Sequence, residues 1–207
     1  MLLFLSRDKE VFMEVLLLGA GEAKRMGMNK LSLLYKGKPL IIHSLSSALE
    51  ASTHVVLVTG CYEKEVLSLL KEYNLIDHPS LHIVHNPNYE MGQFSSTRVG
   101  LESITHTSSC AIALSDAPLI LPSHYQILIH HLKDYDGVRV FCNNTPGHPM
   151  LIGPHLVALA KEEDVMSSMR GFLHDKNINN IQSSDPSWVT DIDTPEAFEA
   201  LSRFREN

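Results

Sequence analysis

Short apolar runs alternate along this chain with segments of helical spacing, and that alternation restricts the fold more than any other feature. Val15–Leu18, Val55–Thr59, His82–His85, Ala111–Leu114 and Val138–Phe141 read as strands, with Met150–Ile152 a further candidate. Ile41–Ala51, Glu63–Tyr73, Ser95–Ile104, Pro122–Leu132 and Asp164–His174 read as helices. In the second of these, Val66, Leu69 and Leu70 share a face. Near the end, Thr194 is placed to cap a last helix, with Pro195 at its first position and Phe198, Leu201 and Phe204 along one side. Strand and helix in alternation predict an α/β fold with a mostly parallel sheet.

The length suits one sizeable core. With 207 residues, 44% of them hydrophobic, and no linker or shift in composition, one domain is expected over 13–207. Residues 1–12 read as an N-terminal extension, with Met13 an alternative start. The opening "MLLFLSRDKE" is too short and too soon charged for a signal peptide or a membrane span, so no membrane is expected. A net charge of -7, from 17 basic and 24 acidic residues, argues against a nucleic-acid binder with a broad basic surface. Cys61, Cys110 and Cys142 are widely spaced and odd in number, which supports neither a disulfide framework nor a zinc knuckle. A reducing, cytoplasmic setting is expected.

In parallel α/β sheets ligands bind beyond the carboxyl ends of strands. Two such ends are unusual here: "GAGEAKRMGMNK", from Gly19 to Lys30, and "SDAP", from Ser115 to Pro118. The first fails the dinucleotide pattern G-x-G-x-x-G, because Lys24 stands where the third glycine belongs. It also fails the P-loop pattern, since the Gly37-Lys38 pair is followed by Pro39 and preceded five residues earlier by Ser32. Glycines still let backbone N–H groups approach an anion, and Arg25 and Lys30 can answer a polyphosphate. An ordinary turn with solvated cations fits the spacing equally well.

The residues of that turn resemble the signature of the MobA-like nucleotidyltransferases. Five more pieces resemble the same family in the same order: "GKPLIIHSL", "NPNYEMGQFSSTRVGL", "LSDAP", "GHPMLI" and "DIDTPEAF". The last two, with Ala20 in "LGAG", are most similar to the molybdenum cofactor cytidylyltransferase (MocA-type) branch. The resemblance implies a three-layer α/β/α, Rossmann-like sheet of the nucleotide-diphospho-sugar transferase type. It implies transfer of CMP from CTP to a molybdopterin-type cofactor, with Mg2+ and pyrophosphate release. Three departures stand out: Ala23 replaces the usual Ser, Gly19 the usual Ala, and "CNNTPGHP" lacks the customary basic residues before its histidine. Two other readings stay open. One is a different phosphorylated acceptor, a sugar or alcohol phosphate. The other is a non-catalytic cofactor-binding maturation protein whose partner is a molybdenum hydroxylase apoenzyme.

By the same resemblance, Leu18, Gly19, Ala20, Gly21 and Glu22 would hold the nucleotide. Arg25 would bind its β- and γ-phosphates and Lys30 its α-phosphate; a surface cation is the plain alternative. Asp116 would hold the metal, with Asp191 and Asp193 as further ligands. An Asx-turn at Asp116 and helix capping at Asp193 are the rivals. Arg25, Lys30 and Asp116 form the catalytic set. Ser95 and Ser96 would bind nucleotide, Ser96 also acceptor, at a helix N-terminus where capping is the rival. His148 would contact the acceptor or orient a loop. His78, His82 and His85 straddle Pro79 with no ligand spacing.

Overall fold

The structure, a computed structural model, describes residues 13–105, 107–164 and 168–203. Its strands are β1 (Met13–Gly19), β2 (Leu34–Tyr35), β3 (Lys38–Pro39), β4 (Val55–Thr59), β5 (Leu81–His85), β6 (Ser109–Leu114), β7 (Gly137–Cys142), β8 (Thr145–Pro146), β9 (Met150–Ile152) and β10 (Ile178–Gln182). Its α-helices are α1 (Leu40–Ala51), α2 (Glu63–Glu72), α3 (Gln93–Leu101), α4 (Pro122–Leu132), α5 (Pro154–Glu162), α6 (Met169–Phe172) and α7 (Pro195–Arg203). Among the described residues no helix is long and apolar enough to cross a membrane.

The main sheet runs in the order β10-β7-β9-β6-β1-β4-β5, with β8 folded back on β7. β1 lies between β6 and β4, parallel to both, so Val15 faces Ala111 on one side and Val55 on the other. A central strand is buried on both faces, which is why "VLLL" is apolar throughout instead of alternating. Its side chains still alternate in direction. Val15 and Leu17 enter a core shared with α1, α2 and α4. Leu16 and Leu18 enter a second core under α3 and α5. Each side chain so buried contributes roughly 1.5–3 kcal/mol. The result is the expected three-layer α/β/α sandwich in a single domain. A third cluster, Tyr35, Leu40, Ile192 and Leu201, binds α7 to the β2–β3 ribbon.

β9 runs opposite to its neighbours β6 and β7. This reversal carries the residues just before β9, His148 included, to the edge where β1, β4, β5 and β6 end. Thr194 does cap α7, its Oγ1 accepting from the N–H of Ala197 at 3.2 Å.

Two expectations need correction. The helix expected over Asp164–His174 is a single turn, Met169–Phe172, since Ser168 is extended and caps it through Gly171 N–H at 3.0 Å; residues 165–167 lie outside the described ones. The third helix begins at Gln93 rather than Ser95, because Gly92, at φ 102°, starts it. α5 and β10 were not expected at all. α5 hides its pattern behind Gly153-Pro154, and β10, "INNIQ", is an edge strand with little apolar content.

Candidate active site

The carboxyl ends of β1 and β6 open into a cleft of about 580 Å³. Its floor is the glycine turn. Leu18, Gly19, Ala20 and Gly21 line it directly. The turn is fixed from below by close backbone packing. Ala20 C=O accepts from Cys61 N–H at 3.1 Å, and a Cβ on Gly60 would lie 2.5 Å from that oxygen. A Cβ on Gly19 would lie 2.9 Å from Ser115 Oγ. Glu22 is not in the cleft wall. Its carbonyl accepts from Tyr62 OH at 2.9 Å and its carboxylate pairs with Lys24 at 3.2 Å.

Lys30 enters the cleft for a local reason. Asn29 caps a short 3₁₀ turn, Lys30–Ser32, by accepting from Leu31 N–H at 3.1 Å. Leu31 is buried in the core, and the tight turn leaves its neighbour Lys30 lining the cleft. There the ammonium donates to Asp116 Oδ2 and, at 2.5 Å, to Asp193 Oδ1. Arg25 is outside the wall and 70% exposed, but its Nη2 donates to Asp193 Oδ2 at 2.5 Å.

Asp116 and the segment 191–193 are tied by a main-chain bond, Ile192 N–H to Asp116 C=O at 3.2 Å. That bond gathers three carboxylates. Oxygen atoms of Asp116, Asp191 and Asp193 all lie within 4.8 Å of one another. Hard oxygen donors at this spacing suit a divalent cation of the magnesium or calcium kind. Burial raises the Asp116 carboxyl above its usual range, against the pull of Lys30, and Asp191 adds to the rise. For Lys30, burial works downward, but Asp116 and Asp193 more than offset it and hold the ammonium charged. Burial also opposes ionisation of Asp193, yet Lys30 and Arg25 keep that carboxyl below its usual range.

The far wall combines His148, Thr145, Pro146, Arg139 and the stretch Trp188–Asp191. His148 N–H donates to Trp188 C=O at 2.8 Å. Its ring is held neutral, first by burial and then by the charge of Arg139, although the Ile112 carbonyl pulls the other way. Ser96 reaches the cleft, whereas Ser95 does not. Ser95 Oγ is committed to the Gly92 and Asn88 carbonyls at 2.8 and 3.1 Å. Asn86, at the end of β5, donates to both serine hydroxyls, at 3.0 and 2.9 Å.

Sequence reasoning missed Asn86, Gly60, Arg139 and Trp188 as parts of this site. Asn86 lies inside "NPNY", a piece already noticed, so a signal for it existed. Gly60 directly follows the apolar run Val55–Thr59, where a glycine is an ordinary strand terminator. Arg139 sits inside an apolar run with no local cue, and Trp188 follows a polar loop.

The pattern of the MobA-like NTP transferase domain matches residues 15–180. The chain belongs to the MobA-like NTP transferase family. The match takes in the glycine turn, Lys30, Asp116 and His148, and stops short of Asp191 and Asp193. The chain is 25% identical to the molybdenum cofactor cytidylyltransferase of Escherichia coli over 93% of its own length and 97% of that protein. It is 26% identical to the purine catabolism protein PucB of Bacillus subtilis over 90% and 94%. A nucleotidyl transferase from Methanothermobacter superposes with a TM-score of 0.75 at 17% identity, over 95% of this chain and 99% of that one. The shared architecture is the nucleotide-diphospho-sugar transferase fold. The family places this protein among the nucleotidyltransferases.

Proposed function

We propose that this protein transfers CMP from CTP to the phosphate of a molybdopterin-type cofactor and releases pyrophosphate. The observation that carries this reading is one cluster: Lys30 bridging Asp116 and Asp193 beside the glycine turn, inside the cleft. Cations and backbone donors gathered there match what phosphoryl chemistry needs, which is positioning and charge neutralisation. The near full-length similarity to the Escherichia coli cytidylyltransferase supports CTP and the molybdopterin-type acceptor.

In this reading the N–H groups of Ala20 and Gly21 hold the nucleotide. Arg25 leaves Asp193 to meet the β- and γ-phosphates. Lys30 stays low in the cleft against the α-phosphate, where its charge stabilises the pentacoordinate transition state. Asp116, Asp191 and Asp193 would hold Mg2+, which neutralises phosphate charge and polarises the attacked group. Ser96, oriented by Asn86, and His148 face the acceptor half. Attack on the α-phosphorus forms one P–O bond and breaks the bond to the β-phosphate oxygen.

A second acceptor class, a sugar or alcohol phosphate, is favoured by one feature. The loop before His148, Asn143-Asn144-Thr145-Pro146, carries no charge with which to select a large polyanionic cofactor. The test is pyrophosphate release with Mg2+ and each of CTP, GTP, ATP and UTP, with and without molybdopterin. The proposal predicts release with CTP that requires the cofactor. Cofactor binding with no turnover of any nucleotide would support a maturation protein instead.

A further inference from the structure

Among the described residues, Arg139 is a cation of the cleft without an ion-pair partner. It projects from β7 into the wall of the cleft, beside Thr145, Pro146 and His148. Its Nε is buried and has no hydrogen-bond partner. Among the described residues no carboxylate lies within ion-pair distance of it, unlike Lys30 and Arg25. Its guanidinium carbon lies 5.7 Å from the Phe141 ring centre, a contact that satisfies none of its N–H groups. Arg139 is half-buried, and leaving its buried Nε–H unpaired is costly, so the group marks a place where an anion is expected.

The surroundings narrow the class of anion. Val138 and Val140 face the core beneath α4, so Arg139 and Phe141 project to the opposite side of the sheet, toward α6. Arg170 of α6 lies near enough to depress the basicity of Arg139 after burial has done so, which adds a second positive charge to the same region. His148, between Arg139 and the carboxylate cluster, is neutral and gives Nδ1–H to the Ile112 carbonyl at 3.4 Å. Its remaining nitrogen therefore presents a lone pair and cannot hold an anion. The neighbouring loop contributes asparagine, threonine and proline only. The strand order puts β7 two steps from β6, and the register sets Arg139 level with Ile112, four residues before Asp116, so both line one cleft without touching.

We infer that Arg139 is the acceptor-binding residue of this cleft, and that its forked guanidinium grips the phosphate of a phosphomonoester acceptor. A planar guanidinium matches two phosphate oxygens at once, which a lysine in its place would not do. The inference rests on the nucleotidyl-transfer reading of the cleft and specifies its acceptor half: whatever the acceptor's organic part, it enters phosphate first. The group that Arg139 holds is the one turned toward the α-phosphorus.

The experiment compares wild type with Arg139→Gln and Arg139→Lys by calorimetric titration with phenyl phosphate, at saturating Mg2+ and a non-hydrolysable CTP analogue. The glutamine variant is expected to bind phenyl phosphate at least about tenfold more weakly, the loss typical of a charge-assisted hydrogen bond. The lysine variant should recover part of that loss, and both should bind the CTP analogue as wild type does. With molybdopterin as acceptor, the KM for acceptor should rise while the KM for CTP stays unchanged. Phenyl phosphate affinity within twofold of wild type in the glutamine variant would overturn the inference, as would an equal loss of CTP-analogue affinity. If molybdopterin supports no turnover, the proposed function fails, but the phenyl phosphate comparison still decides the role of Arg139. A thermal melt on each variant separates loss of binding from loss of fold.

Discussion

At the scale of single residues, the glycine turn is set by contacts that leave no spare volume. Gly19 has no room for a methyl group, because Ser115 Oγ lies 2.9 Å from where its Cβ would stand. That hydroxyl is fully buried and without a partner. Gly19→Ala should therefore destabilise the protein by about 1–3 kcal/mol, the usual cost of overpacking. Ser115→Ala alone should be neutral or stabilising, because it removes an unsatisfied buried group. Urea unfolding of the two single variants and the double variant should give a coupling of at least about 0.5 kcal/mol, as expected for residues in contact. Additive effects would mean that the two do not compete for space. Lys30 is a second residue with a sharp expectation. Lys30→Gln should lower turnover on the order of 10²–10³-fold, the scale of one lost electrostatic contact to a transition state, with little change in CTP affinity.

His148 gives a pH dependence at the same scale. Burial holds its pKa below the ordinary value of 6.5, with Arg139 adding to the fall. As pH drops below about 6.5, the unfolded chain takes up this proton before the folded chain does. The stability linked to His148 is thus fully present above that pH and is lost on acidification through the folded-state pKa. His148→Gln should flatten the decline in urea midpoint between neutral and mildly acidic pH. An unchanged slope would show that the ring is not held neutral by its burial.

At the scale of elements, the site depends on how strand ends and caps are held. Gly60, one residue beyond β4, lets the glycine turn pass 2.5 Å from where a Cβ would stand, and the atom in the way is backbone. Gly60→Ala must displace Ala20, so nucleotide affinity should fall at least about tenfold while the fold survives, since an overpacked backbone costs about 1–3 kcal/mol. Equilibrium binding of a CTP analogue checks this. The cap of α7 matters in the same way, because Asp193 precedes Thr194 directly. Thr194→Ala should cost about 1 kcal/mol of stability, and should raise the metal concentration needed for half-maximal activity as Asp193 loses its support. Elements were legible in the sequence where apolar residues kept one period: β1, β4, β6, α1, α2 and α4 all lie within a residue or two of where "VLLL", "VVLVT" and their neighbours put them. α5 and β10 were not legible. α5 follows directly on the buried strand β9, with no polar stretch to part them, and β10 pairs on one side only and has little need of apolar residues. The long helix expected near Asp164 failed because Ser168 favours a cap over a helix interior.

At the scale of the molecule, the carboxyl edge of the sheet assembles chemistry from five distant stretches of chain. The glycine turn and "SDAP" could be placed there from sequence because parallel strands end at one edge. The distances that matter could not. Lys30 and Asp193 are 163 positions apart and meet at 2.5 Å, a contact made by the Ile192–Asp116 main-chain bond and not by any local pattern. Arg139 escaped notice for the opposite reason: β9 runs backward, so β7 comes near the cleft only through a pairing that no single-strand pattern reveals. The central claim is that this edge moves a nucleotidyl group onto a molybdopterin-type acceptor. The most direct test follows α-labelled CTP in a single turnover with molybdopterin and Mg2+. The account predicts that label appears in a phosphodiester on the cofactor, with one pyrophosphate released for each label transferred. Intact cofactor, with the label remaining in CTP or appearing only in free CMP, would contradict it.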